Sequence, residues 1–561
     1  MTATHRPLLV RNAALWSDGA SLPGSAVLID RSSIAAIGDE SELRALRPDD
    51  AFDVIDAQGA LVTPTFADAH IHAAQAGIEA GNLDLSGAAD AAECLRLIAA
   101  HVVADDPEWI VGGGWTLTHF AGGTPTAGLL DEVTGDRPAF LLNADHHGAW
   151  VNTAALRIAG VTAATPDPAD GRIERDASGH PSGTLHEGAA ELVAAFVPAV
   201  DVEKTARGIL TSVRALFAAG VTAWQEALLG DYAGTSDPSA GYLRLLADGA
   251  LPARVSGALW VPRDTTLATV PDLVADLVAR RDHNATLGFD TSTAKIMVDG
   301  VAENRTAALH EPYLVGGCDC GTDRGIAYFG RDVLFAAATA LVAAGFALHF
   351  HAIGDRAVTD ALDAVEQLPA HLHGFRRHHI AHVQIVDPRD IPRFGRLGVT
   401  VNAQALWACN EEQMTELTVP VIGERRAAWQ YPFGSLLRSG AELAMGSDWP
   451  VSTFEPWAAI HVAANRQAPG SDAPALNPGE ELTLADALRA YTAGSHALLG
   501  VAGSGYLRVG ANADLCIADR DPFTRPAREI GSTRNRVTIV GGQVVHGRDA
   551  VVTERVLPAL S

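Results

Sequence analysis

The chain is 561 residues long, 48% hydrophobic and 19% charged, with glycine and proline spread along its length, which marks a large globular protein and excludes fibrous and disordered classes. Acidic side chains outnumber basic ones 67 to 41, a net charge of -26, which repels phosphate backbones and anionic lipid surfaces and argues against nucleic acid or membrane as partners. Five cysteines, with Cys318 and Cys320 the only close pair, make neither a disulfide framework nor a structural zinc site, and the apolar stretch at 7–10 is too short for a secretory signal, so a cytoplasmic protein is expected.

Residues 1–62 read as short strands at 8–15, 26–30, 34–37 and 52–56, separated by turn pairs such as Asp18-Gly19 and Pro23-Gly24. Residues 501–561 repeat this pattern, with strands at 505–508, 514–518, 536–540 and 543–545. Chain termini often lie close together, so two such halves can pair into one small β-sandwich.

Between them, strands and helices alternate, as a parallel sheet with crossover helices requires. Eight strands are expected, at 61–65 (running on to 69), 221–225, 254–261, 294–298, 346–350, 378–383, 399–403 and 442–445, with helices at 202–219, 332–344, 355–368, 424–438 and 456–466. That count predicts an α/β fold, a (β/α)8 TIM barrel, with its first strand in 63–72 and the rest in 201–500. The apolar run at 333–348 is shorter than the roughly 20 residues a bilayer needs and reads as a buried helix running into a strand. About 150 residues separate the first two strands, too many for a loop, and 73–200 is therefore expected to be an inserted domain.

In such a barrel the chemistry sits at the C-terminal strand ends. Strand one ends in Asp68-Ala69-His70-Ile71-His72, where alternation puts His70 and His72 on one face, able to grip one metal together. Lys295 lies on strand four, His349 and His351 at the end of strand five, His382 at the end of strand six and Asp448 after strand eight. A lone histidine pair is more often structural, and a lone buried lysine more often salt-bridged. Four imidazoles, a lysine and an aspartate converging on one rim have the chemistry of a metal site. Asp448 alone could also be a helix N-cap.

The segments Thr63-Pro64-Thr65-Phe66-Ala67-Asp68-Ala69-His70-Ile71-His72, Lys295-Ile296-Met297-Val298-Asp299-Gly300, His351-Ala352-Ile353-Gly354-Asp355, Ile380-Ala381-His382 and Gly446-Ser447-Asp448-Trp449-Pro450, in that order, resemble the amidohydrolase superfamily. The likeness is narrower to amidohydrolase family 3, the branch of the YtcJ-like proteins and N-substituted formamide deformylases. It implies that His70, His72 and Asp448 bind one divalent metal ion, that His351 and His382 bind a second, and that Lys295, carrying a carbamate derived from carbon dioxide, bridges the two. Zinc is the expected metal, at one or two ions per chain.

The resemblance also implies a metal-dependent hydrolase that cleaves a non-peptide carbon–nitrogen bond, an amide or N-substituted formamide, in a small-molecule substrate with metal-activated hydroxide. Asp448 would carry the proton from water to the leaving nitrogen. A deaminase, an imine, ester or lactone hydrolase, a decarboxylase and a non-catalytic binding protein are the alternatives, and a homodimer is the default assembly.

Four further residues are candidate substrate contacts, each with a plainer reading beside it. His147 could bind the substrate carbonyl or its oxyanion, or be structural. The family usually has glycine at the preceding position, where this chain has His146. Trp115, after three glycines, could wall the pocket or simply pack. Glu187 could face substrate or open a helix. Arg305 could orient substrate or pair with Asp299 or Glu303.

Overall fold

The computed structural model describes residues 6–47, 51–105, 107–232, 234–318, 320–372 and 377–554; the outer ends of the two terminal segments expected to form the sandwich lie outside these residues. At its centre is a sheet of eight parallel strands: β1 (Phe66–Ile71), β2 (Val221–Leu229), β3 (Arg254–Trp260), β4 (Asp290–Met297), β5 (Ala347–Ala352), β6 (His379–His382), β7 (Thr400–Ala403) and β8 (Leu443–Met445). They are hydrogen-bonded in sequence order from β1 to β8. Bonds from β7 and from the segment just past β8 then draw this edge of the sheet against β1: Asn402 Nδ2 donates to the Ala69 carbonyl at 2.8 Å, and the Asp448 N–H to the His70 carbonyl at 2.7 Å. The expected (β/α)8 barrel is thus present.

The strands bury nearly every side chain, as parallel strands covered by helices must. The helix Arg331–Ala343 runs into β5, the arrangement expected for the apolar stretch there. Among the described residues no helix is long and apolar enough to cross a membrane. The single helix expected at 424–438 is two, Val419–Ala427 and Phe433–Arg438, parted by Tyr431 at φ 49° and by Pro432, which cannot donate a helical hydrogen bond.

Two terminal sheets each mix strands from both chain ends. One runs Val551–Glu554, Phe52–Asp56, Leu8–Arg11, Ala26–Asp30, Ser33–Gly38; the other runs Gln543–His546, Asn535–Val540, Leu515–Ala518, Leu61–Pro64, Ala14–Ser17, Ala20–Ser21. Leu8, Val27 and Ile55 of the first meet Val62, Leu515 and Ile539 of the second in one apolar core. Leu61–Pro64 therefore belongs to a terminal sheet and not to the barrel, because it pairs with Ala14–Ser17 and Leu515–Ala518; the barrel strand starts only after Thr65. Residues between β1 and β2 carry a six-stranded sheet, ordered Gly171–Arg175, Pro181–Glu187, Gly148–Val151, Ala139–Asn143, Ile110–Trp115, Leu83–Asp84.

The helix Ala73–Glu79, which follows β1, packs closely on Val202–Ala218. The approach depends on glycine: a Cβ on Gly77 would lie 1.9 Å from the Gly208 carbonyl oxygen, so any larger residue must push the two helices apart. Gly77→Ala is expected to cost about 1–3 kcal/mol by overpacking, read as a lower melting temperature, with Gly81→Ala, where a Cβ meets nothing closer than 3.5 Å, as the tolerated control.

Candidate active site

Six of the residues singled out in sequence converge at the C-terminal mouth of the barrel, lining a cleft of about 770 Å³ that includes its open mouth: His70, His72, Lys295, His351, His382 and Asp448. Asp448 Oδ1 stands 3.2 Å from both His70 Nε2 and His72 Nε2. The donor atoms of His70, His382 and Asp448 lie within 4.8 Å of one another. The His382 ring sits between the two expected halves of the cluster, 5.0 Å from the ring of His70 and 4.4 Å from that of His351.

The backbone is shaped to bring these groups in. Asp448 and His382 take φ values of 57° and 73°, left-handed conformations that non-glycine residues adopt only where the surroundings impose them. The His382 N–H donates to Gln404 Oε1 at 2.5 Å. Behind the cluster, buried Asp68 accepts from the backbone N–H groups of His70 (3.1 Å) and Ser447 (3.0 Å). Asp299 accepts from the N–H groups of Ala308, Ile353 and Gly354 and lies 3.5 Å from His351 Nδ1.

These residues fit a divalent ion. Both ring nitrogens of His351 and of His382 are buried with no hydrogen-bond partner, a costly state for polar atoms unless an ion takes them. Burial, aided by nearby Lys295, pushes the His70 imidazole down to about 3, and burial holds His72, His351 and His382 low as well, so the rings present neutral lone pairs. Burial opposes ionisation of Asp448, but hydrogen bonds and charge from the surrounding histidines keep its carboxyl well below the usual range. Burial also brings the Lys295 amine down to about 7.

His147 lines the same cleft, its ring 5.5 Å from that of His351. Its Nδ1 is 2.8 Å from Glu187 Oε1, which leaves Nε2 as its free nitrogen. Burial works against a charged His147, yet the Glu187 carboxylate outweighs it and raises the pKa. Despite its own burial, Glu187 is held down to about 2 by His147 and Arg263.

Three expected substrate contacts need correction. Trp115 is fully buried in the inserted sheet, donates to the Leu141 carbonyl at 2.9 Å and packs edge-on against Phe120 and Trp150; it is a core residue and not a pocket wall. Glu187 has no exposed side-chain surface and reaches His147, Thr306 and Arg263 instead of the cleft. Arg305, half-buried at φ 55°, does not line the cleft, and among the described residues it forms no ion pair with Asp299 or Glu303.

The cation that does act here is Arg263, 3.2 Å from Glu187 and stacked over the rings of Tyr328 and Tyr232. Its place just past the end of β3 is the signal that could have found it. Trp407, lying parallel to the His382 ring at 5.6 Å, carries no such signal. His146 takes φ 61°, the conformation a glycine would tolerate, and places Nε2 3.4 Å from Glu79.

Fold and site together define a metal-dependent hydrolase. The model of the amidohydrolase family matches residues 53–546, and the chain belongs to that family. It is 29% identical to the protein LONG AFTER FAR-RED 3 of Arabidopsis thaliana, over 96% of this chain and 91% of that one. It is 28% identical to the N-substituted formamide deformylase of Arthrobacter pascens, over 97% and 99% of the two chains. The crystal structure of a metal-dependent hydrolase from Pyrococcus horikoshii OT3 superposes with a TM-score of 0.69 at 23% identity, covering 93% of this chain and 99% of that one, and so shares the fold.

The His147–Glu187 pair has a pH signature. The folded His147 pKa is raised above 6.5, so its stabilisation is complete below that pH and fades as pH rises through the raised value. Glu187 is depressed from 4.5 to about 2, so its contribution is complete above 4.5 and fades as pH falls. Glu187→Gln should therefore lose most stability against the parent between these limits, with a smaller deficit near pH 9, as read by urea denaturation at both pH values.

Proposed function

We propose that the protein hydrolyses a non-peptide carbon–nitrogen bond, an amide or N-substituted formamide, in a small, partly apolar molecule. The observation that carries this reading is the six-donor cluster at the floor of a cleft whose other walls include Ile78, Leu228, Met297 and Val451. The similarity to a formamide deformylase over nearly the whole chain supports it.

The metal is read as zinc, which imidazole and carboxylate ligands suit, held by His70, His72 and Asp448 on one side and by His351 and His382 on the other. A Lys295 amine brought down to about 7 has a substantial neutral fraction at physiological pH. Its nitrogen lone pair can attack carbon dioxide, forming the carbamate C–N bond as one C=O π bond opens onto oxygen and the nitrogen loses a proton, and so would give an anionic group able to ligate a cation. When bound, the metal supplies an activated water and polarises the carbonyl.

The protein's own groups supply the rest. Asp448 Oδ1 lies 3.2 Å from His70 Nε2 and His72 Nε2 and would face the ion with them, which leaves Oδ2 to accept the proton from water and deliver it to the leaving nitrogen. His147, with Nδ1 tied to Glu187, offers Nε2–H to the oxygen on which charge develops as the carbonyl is attacked. The apolar walls exclude bulk water and take the hydrocarbon part of the substrate.

The test is a panel of N-formyl and N-acyl amines given to zinc-loaded enzyme, with products identified by mass. Release of acid and amine is expected; release of neither overturns the proposal. Ammonia from a heterocycle would make the enzyme a deaminase. His72→Ala should lose both metal and activity, whereas Asp448→Asn should lower kcat by about 100-fold or more, and near-normal turnover by Asp448→Asn would remove the proton shuttle.

A further inference from the structure

Below the rim, the strand register sets a row of polar side chains where barrel interiors ordinarily carry branched aliphatic ones. Lys295 on β4 pairs with His349 on β5, and His349 pairs with His379 on β6. His349 and His379 are fully buried, with their rings 4.2 Å apart. Across the interior from this row stands His70 on β1, its ring 4.8 Å from that of His349 at an interplanar angle of 78°.

His70 Nδ1 and His349 Nε2 are 2.9 Å apart, while His70 Nε2 faces Asp448 Oδ1 at 3.2 Å on the opposite edge of the ring. A neutral imidazole has one N–H and one lone pair. If the lone pair at Nε2 is turned to the ion, the hydrogen must sit on Nδ1, and in this dry interior its acceptor is His349 Nε2. The N–H of His349 then falls on Nδ1, which has no hydrogen-bond partner. A buried donor without an acceptor is unfavourable, and an aliphatic residue would fill the place without that cost, so packing alone does not account for a histidine here.

We infer that His349 is a positioning residue for the metal centre: its Nε2 accepts from His70 Nδ1, fixing the tautomer and ring orientation in which His70 presents Nε2 to the ion. The inference rests on the reading of His70 as a metal ligand. Metal-bound histidines commonly direct their second nitrogen to a carboxylate or carbonyl; here a second imidazole takes that part, braced from behind by the ring of His379.

The experiment compares zinc affinity, measured by competition with a chromophoric chelator on metal-stripped protein, for wild type, His70→Ala, His349→Gln and His349→Met. Glutamine and methionine are close in length, but glutamine accepts through a carbonyl oxygen, whereas the methionine thioether is only a weak acceptor. His349→Met should bind zinc about 10- to 100-fold more weakly, and His349→Gln should recover most of that loss, with the circular-dichroism melts of the two alike. If His349→Met binds as tightly as wild type while His70→Ala does not, the inference about His349 fails and the metal site stands. If equal losses appear in the Gln and Met variants, the histidine acts through packing and the inference fails likewise. If wild type takes up no zinc, or His70→Ala binds normally, the reading of His70 itself fails. Should His349→Met not fold, His349→Leu takes its place.

Discussion

The structure depends on the closing of β8 against β1. Those strands are the two ends of a sheet whose other neighbours follow one another in sequence, so this seam alone joins residues near opposite ends of the barrel segment. Asp68 holds it from inside, accepting from the backbone of both His70 and Ser447, and burial raises its carboxyl to about 7, the mark of a group kept in a dry interior by its hydrogen bonds. Gly446 permits the contact: a Cβ there would lie 2.6 Å from the His70 nitrogen. Close the seam, and Asp448 arrives beside His70 and His72; leave it open, and the cluster has no carboxylate.

From that seam the polarity of the site follows. The interior strips water from five histidines, a lysine and an aspartate, and burial leaves the rings neutral and brings the lysine down to about 7. Neutral nitrogen donors facing an ionised carboxylate hold a cation better than they hold one another. The inserted sheet adds the other charged layer, setting Glu187 beneath His147, with Arg263 from the barrel completing the clamp. One layer retains electron-pair donors; the other keeps a proton on the imidazole that overlooks them.

The barrel and the six donors were legible in the sequence for one reason. Strand ends of a parallel barrel share a rim, so polar residues at those ends identify both the fold and the site, and the order from His70 to Asp448 resembles a known family. The inserted segment was less legible. Trp115 after three glycines could as well have faced the cleft as the core, and only the packing against Phe120 and Trp150 decides it. Glu187 is legible as a carboxylate near the site but not as one removed from substrate, since a linear sequence does not show that His147 lies between them. Arg305 draws notice because it stands in a family-like segment, whereas Arg263, just past the end of β3, holds the physically stronger position.

The central proposal is that these six side chains hold a pair of divalent metal ions. Anomalous diffraction at the zinc edge, from crystals of zinc-loaded protein, tests it most directly. The account predicts two peaks, one contacted by His70, His72 and Asp448 and the other by His351 and His382, with the density of Lys295 extended between them. A single peak, or none within the cluster, would contradict it.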